Sequence, residues 1–222
     1  MSATLARTPG GVTLIGGGAV ARADLEQALR RAPLLVAADG GADLALSFGH
    51  MPQKAIGDFD SISDAARAAL GADRLIHVAE QDSTDFGKAL SRIEAGFVLA
   101  VGFAGRRLDH TLAALNVMVR HRAPPCIMLA GEDVAFLAPP LLELPLAAGT
   151  RVSLFPMGPA RAESTGLRWP VDGIAFAPDG RVGTSNEATG PVRLTSRGPL
   201  IVMLPQDCLD QALTAITAPM SA

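Results

Sequence analysis

Asp58 and Asp60 stand two positions apart in "IGDFDSI" (56–62), directly after an apolar residue and Gly57. Carboxylates at i and i+2 of an extended stretch share one face, where they repel unless something positive lies between them. Mg²⁺ meets that need. It takes oxygen ligands in octahedral geometry, keeps several waters, and uses one or two protein carboxylates when substrate phosphates complete its shell. In such a pleat Phe59 turns the other way, into the core, while Gly57 lets the backbone approach a phosphate or adopt φ > 0. A bland role also fits, since Asp and Ser are common in turns and at helix starts, and "ISDAARAAL" follows at once.

Four other clusters share this texture: "GGG" (16–18), "DGGAD" (39–43), "EQDSTD" (80–85) and "GFAGRRLDH" (102–110). Each follows a short apolar run ("VTLI", "LLVAA", "RLIHVA", "FVLAVG"), as "KAIG" precedes Asp58. Between the runs lie segments of helical period, among them "ARADLEQALRRA", "GADLALSF", "STDFGKALSRIEAG" and "LDHTLAALNVMVRH". Strand and helix therefore alternate about five times from residue 12 to 120, which predicts a parallel sheet with helices on both faces. All five clusters fall at strand C-terminal ends, the edge of an open parallel sheet where ligands bind. Individual residues keep alternative roles. Asp82 to Asp85 resembles a capping box, with Thr84, Asp85 and Lys88 at one end of a helix, and Asp109 suits an N-cap. "GGGAVA" followed by Asp39 about 20 residues on also matches a dinucleotide fingerprint. That reading gives the three later acidic clusters no task.

Beyond "HRAPPC" the pattern changes. Residues 126–205 are short apolar runs broken by Pro and Gly, with no helical period, which predicts an antiparallel sandwich or barrel. The 222 residues, 49% hydrophobic, can bury a sizeable core in one large domain or two small ones. A net charge of −3 with scattered lysines and arginines excludes a basic stripe for nucleic acid or an anionic membrane. No run approaches the roughly 18 apolar residues of a membrane span, and the expected location is cytoplasmic. Cys126 and Cys208 lack CxxC spacing and read as buried apolar residues.

"ADGGAD", "IGDFDSI", "QDSTDFGKAL" and "GRRLDHTLAAL", in this order, resemble the successive motifs of the thiamine pyrophosphokinase family, and "STGLRWPV…VGTSNE" resembles that family's C-terminal β-domain motifs. The resemblance covers roughly residues 35–205. One position departs: Arg106 stands where the family usually has a second glycine, and Arg107 keeps the Arg-x-Asp-His spacing. The resemblance implies an N-terminal parallel-sheet α/β/α (Rossmann-like) domain over 1–123 and a smaller C-terminal all-β sandwich over 124–222. It implies pyrophosphoryl transfer from ATP to the hydroxyl of thiamine, giving thiamine diphosphate and AMP. Asp58, Asp60 and Asp85 would hold Mg²⁺, with Asp82 a weaker candidate. Arg107 and Lys88 would neutralise phosphate, with Arg106 the other candidate arginine. Asp39, Gly40, Gly41, Gln81, Thr84 and Asp109 would line the nucleotide pocket. Trp169, the only tryptophan, would stack on thiamine, with Ser185 and Asn186 bonding its pyrimidine; a sandwich-core role for Trp169 is the alternative. The implied assembly is a homodimer with composite sites. A pyrophosphokinase for another heterocyclic alcohol, such as a hydroxymethylpterin, or a non-catalytic nucleotide-binding regulator are the competing functions.

Overall fold

The computed structural model describes residues 4–80 and 82–218. The chain folds as two compact units, Met1–Ala130 and Gly131–Ala222. The division follows Ala130 rather than residue 123 as expected, because Cys126–Ala130 is a sixth parallel strand of the first unit.

In the first unit the elements run β1 (Ala6–Arg7), β2 (Gly11–Ile15), α1 (Arg22–Arg31), β3 (Leu34–Ala38), α2 (Gly41–Ser47), β4 (Lys54–Gly57) and α3 (Asp64–Leu70). They continue with β5 (Leu75–His77), α4 (Asp85–Leu90), β6 (Ile93–Glu94), β7 (Phe97–Val101), α5 (Leu108–Arg120) and β8 (Cys126–Ala130). The main sheet is wholly parallel, in the order β8-β7-β2-β3-β4-β5. Its central strands are continuous apolar runs because both faces are covered; Val12, Leu14, Val36, Val98 and Leu99 are all buried. The strand order reverses between β2 and β7, and at such a switch point the flanking crossovers leave a crevice at the carboxyl ends. Helix starts are cut by side chains: Ser63 accepts from Ala66 N at 3.1 Å, and Thr84 from Gly87 N at 3.2 Å. Residues 83–96, expected as one helix, stop being helical at Leu90, and Ile93–Glu94 instead pairs in parallel with β1.

The second unit holds β9 (Asp133–Leu137), β10 (Leu141–Leu144), β11 (Arg151–Pro156), β12 (Ala160–Leu167), β13 (Ala175–Phe176), β14 (Gly183–Arg197), β15 (Leu200–Pro205) and α6 (Leu209–Thr217). All its strand pairings are antiparallel: β9-β15-β11-β14 on one side, and β13-β12-β14-β10 on the other. "RVGTSNE" and "PVRLTS" prove to be one long strand. β14 pairs with β11 through its first half and with β12 and β10 through its second, so it belongs to both sheets. Along its second half Val192, Leu194 and Ser196 are buried and Arg193, Thr195 and Arg197 exposed, the period-two pattern of a sheet covered on one face. The unit is not all-β. Helix α6 buries Leu209 and Ala212 and packs beside β10.

Candidate active site

The site is built where β2 and β7 end. Gly16 N donates to Val101 O at 2.8 Å and Gly18 N to Gly102 O at 2.9 Å, tying the two tips together. The approach is so close that a methyl at Gly102, whose φ is +78°, would lie 2.5 Å from Gly16 O. The neighbouring tips of β3 and β4 then carry the acids. Asp39 leaves β3 in a left-handed turn, φ 42°, with its N–H donating to Ile56 O at 2.8 Å. This packs Asp39 against Gly57, where an added Cβ would come within 3.0 Å of the Asp39 Cβ.

Asp58 and Asp60 do not lie in a pleat as expected. β4 ends at Gly57, and Phe59 adopts φ 64°. A left-handed phenylalanine costs about 1–2 kcal/mol, so neighbours must hold it. Phe59 is buried against His77, ring centroids 5.9 Å apart, and the Arg67 guanidinium donates to its carbonyl. The turn brings the two carboxylates together in place of strand alternation, and Asp60 N donates to Asp58 Oδ1 at 3.3 Å. Nor do these acids cap α3: Ser63 does, and Ser63 is itself fixed by N–H and hydroxyl donation to Asp43.

Carboxylate oxygens of Asp39, Asp58 and Asp60 lie within 4.8 Å of one another. Asp39, expected to shape the nucleotide pocket, thus joins the cluster. It is only 5% exposed, and its Oδ1 has no hydrogen-bond partner among the described residues. Burial pushes its carboxyl up to about 6, helped by the charges of Asp85, Asp60 and Asp58 and opposed by a hydrogen bond with Ser61. Asp85 is also raised, by burial, with Lys88 opposing. Lys88, 3% exposed, places its ammonium 3.3 Å from Asp85 Oδ1 and 4.0 Å from Asp58 Oδ2. Its ammonium thus offsets carboxylate charge at Asp85 and Asp58, and Lys88 also lines the cleft over the cluster. Three converging carboxylates, one with a buried oxygen left unbonded, fit a divalent cation with oxygen preference.

A cleft of about 750 Å³ opens over these groups. Of the residues expected from sequence, Asp39, Gly40, Asp58, Asp60, Thr84, Asp85, Lys88 and Arg107 line it. Gly41 does not: a side chain there would strike Ile15 O at 2.2 Å, so its task is to seat α2 against β2. Asp109 is an exposed partner of Arg107, which donates to it from Nε at 3.1 Å and Nη2 at 2.6 Å and holds its carboxyl below the usual range. Asp82 donates its N–H to Glu80 Oε2 at 2.9 Å and does not line the cleft, and the capping of α4 falls to Thr84. Gln81 lies outside the described residues. Gly17, Gly18, Asp43, Phe103, Arg106 and His110 are among the other lining residues. Asp43 stands inside the quoted "DGGAD", in the first turn of α2.

In the second unit Trp169 is 54% exposed, which removes the core reading. Arg168 Cζ lies 5.0 Å from the ring centroid. Ser185 is exposed at φ 61°, its N–H donating to Ser153 Oγ at 3.0 Å. Asn186 does not face solvent. It is buried, and its carboxamide bonds the main chain of Trp169 and Glu187, so it has no amide acceptor left for a pyrimidine.

On geometry, the first unit is an open parallel α/β protein with an acidic ligand cleft at its strand-order switch. Residues 25–129 match the family described as thiamin pyrophosphokinase, catalytic domain, and residues 142–201 match thiamin pyrophosphokinase, vitamin B1 binding domain. Thiamine pyrophosphokinase 1 of Oryza sativa subsp. japonica is 30% identical over 208 residues, 77% of this chain and 78% of that one. Thiamine pyrophosphokinase 2 of Arabidopsis thaliana is 28% identical over 192 residues, covering 70% and 71%. The chain belongs to the thiamine pyrophosphokinase family. Its fold matches the thiamin pyrophosphokinase from Candida albicans with a TM-score of 0.74 at 18% identity, covering 92% of this chain and 93% of that one. A protein from Lactobacillus plantarum gives 0.73 at 25% identity, covering 89% and 99%. No helix among the described residues is long and apolar enough to cross a membrane.

Proposed function

We propose that the chain is a thiamine diphosphokinase: it moves a pyrophosphoryl group from ATP to the hydroxyethyl oxygen of thiamine and releases AMP. The hydroxyl oxygen forms a bond to the β-phosphorus as the bond from that phosphorus to the oxygen bridging it to the α-phosphate breaks. The observation that carries the reading is the occurrence, in order on one chain, of both domains of this family. The acidic cluster supplies the chemistry the first of them needs. Asp39, Asp58 and Asp60 would hold Mg²⁺, with Asp85 in reach through water. Bound there, the ion would offset triphosphate charge and polarise the reacting phosphoryl group. Lys88 offsets part of the cluster's negative charge and holds Asp58 and Asp85 in register. Arg107 and Arg106, at the rim, meet phosphate oxygens; Arg107 must exchange Asp109 for phosphate to do so, and a bidentate phosphate pair is a stronger replacement for an exposed ion pair. Gly17, Gly18 and Gly40 let the triphosphate lie close to the main chain. Catalysis here is largely alignment and electrostatics. Trp169 stacks on thiamine and Ser185 contributes a hydroxyl near it. The active species is a homodimer whose sites draw on both copies.

The test is direct. Purified protein incubated with ATP, Mg²⁺ and thiamine should yield AMP and thiamine diphosphate in equal amounts. Release of ADP with thiamine monophosphate, or turnover only when a hydroxymethylpterin replaces thiamine, would overturn the assignment.

A further inference from the structure

We propose that Asn186 is a positioning residue, fixing the main chain of Trp169 so that the indole stands ready for its substrate. The inference rests on the reading of Trp169 as the thiamine-stacking residue. Along β12 the ladder with β14 closes with Leu167 opposite Ala188, and Arg168 N still donates to Glu187 O at 2.8 Å. One residue on, a side chain replaces the partner strand. Asn186 Nδ2 donates to Trp169 O at 2.6 Å, and Asn186 Oδ1 accepts from Trp169 N at 3.2 Å and Glu187 N at 2.8 Å. A carboxamide is the side-chain counterpart of a peptide group, donor and acceptor in one plane, so it can satisfy both polar groups of Trp169 as a neighbouring strand would. An aspartate keeps the acceptor half only, and an alanine neither.

Three features make this a mount for the ring rather than a general brace. Asn186 is 6% exposed while Trp169 is 54% exposed, so the anchor is dry and the anchored ring is in solvent. Pro170 confines Trp169 to extended backbone on its other side. Arg168, lying 5.0 Å from the indole centroid and paired with Glu187 at 3.4 Å, restrains the ring's rotation as well. An exposed tryptophan held in this way meets a flat ligand with less ordering on binding.

Trp169 is the chain's only tryptophan, so its fluorescence reports this ring alone. The full-length chain is compared with Asn186→Asp and Asn186→Ala, first without ligand and then titrated with thiamine. Expected in the ligand-free variants are lower tryptophan anisotropy and stronger acrylamide quenching, largest for Asn186→Ala. Thiamine KM should rise on the order of 10-fold, with ATP KM and kcat at saturating thiamine nearly unchanged. Loss of thiamine affinity with unaltered ligand-free fluorescence would mean direct substrate contact and overturn the proposal. A fall in thermal midpoint with both KM values raised would mean a merely structural role and overturn it too; if Asn186→Ala does not fold, Asn186→Asp decides. If thiamine leaves wild-type fluorescence unchanged, the stacking reading fails separately, while the ligand-free anisotropy still reads the mount.

Discussion

Asp39 carries the clearest pH signature in the molecule. Its carboxyl is raised from 3.8 to about 6 by burial first and then by Asp85, Asp60 and Asp58, and Asp85 is raised as well. Between these values the folded chain keeps a proton that the unfolded chain has lost. Stability of the cation-free protein therefore falls as pH rises from about 4 to about 6 and levels off above. Denaturant midpoints of chelator-treated protein across that range should show the fall, and Asp39→Asn should remove most of it. Divalent-cation uptake should run the other way, strengthening through the same window as the carboxylates deprotonate. Asp60→Asn probes the same cluster from its exposed side. Turnover should drop on the order of 100-fold or more, while the thermal midpoint holds or rises because one of several repelling charges is gone. Near-normal turnover of a folded Asp60→Asn protein would remove Asp60 from the cation site.

Among the elements, the strand ends hold the largest backbone constraints. Gly102 and Gly49 both have positive φ, +78° and +83°, but a methyl at Gly102 would sit 2.5 Å from Gly16 O, whereas nothing lies within 4 Å at Gly49. Gly49→Ala should thus cost about 1 kcal/mol, the conformational part alone, and Gly102→Ala at least about 2 kcal/mol, since the β2 and β7 tips must also separate. Urea midpoints at constant m-value measure both. Similar costs for the two would mean that the switch point yields easily. The alternation of "VTLI", "LLVAA", "KAIG" and "FVLAV" with helical segments made the parallel sheet and its acidic edge legible, because strands buried on both faces must be apolar throughout. The turn at Phe59 was not legible. Two-residue spacing implies a pleat unless Arg67 and His77, 8 and 18 positions away, hold a left-handed phenylalanine. The main-chain role of Asn186 was hidden for a related reason: polarity in "TSNE" signals a partner but not whether that partner is ligand or main chain. Gly190 and Pro191 likewise read as a break, yet β14 runs through them.

For the whole molecule, the function proposed above would divide the work between the two units, phosphate chemistry in Met1–Ala130 and thiamine recognition through Trp169 in Gly131–Ala222. Trp169→Ala should accordingly raise the thiamine KM by a factor of about 10 or more, the worth of a desolvated cation–π stack, and leave the ATP KM close to wild type. That division permits a test of the proposed homodimer in which the two substrates meet across two copies. Asp60→Asn and Trp169→Ala proteins are each assayed with thiamine well below the wild-type KM, where Asp60→Asn is nearly silent and Trp169→Ala keeps at most about a tenth of wild-type turnover, then mixed in equal amounts under subunit exchange. Random pairing makes half the dimers mixed. If every site takes Asp60 from one copy and Trp169 from the other, each mixed dimer contains one site with both residues intact and one with neither. Activity should then return to about a quarter of wild type. If each site takes both residues from a single copy, every site in every dimer lacks one of them, and no mixing ratio restores turnover. Exchange itself is verified by mass-tagged subunits, so a flat baseline would sink the shared site while leaving the diphosphokinase chemistry of the separate Asp60 and Trp169 experiments standing.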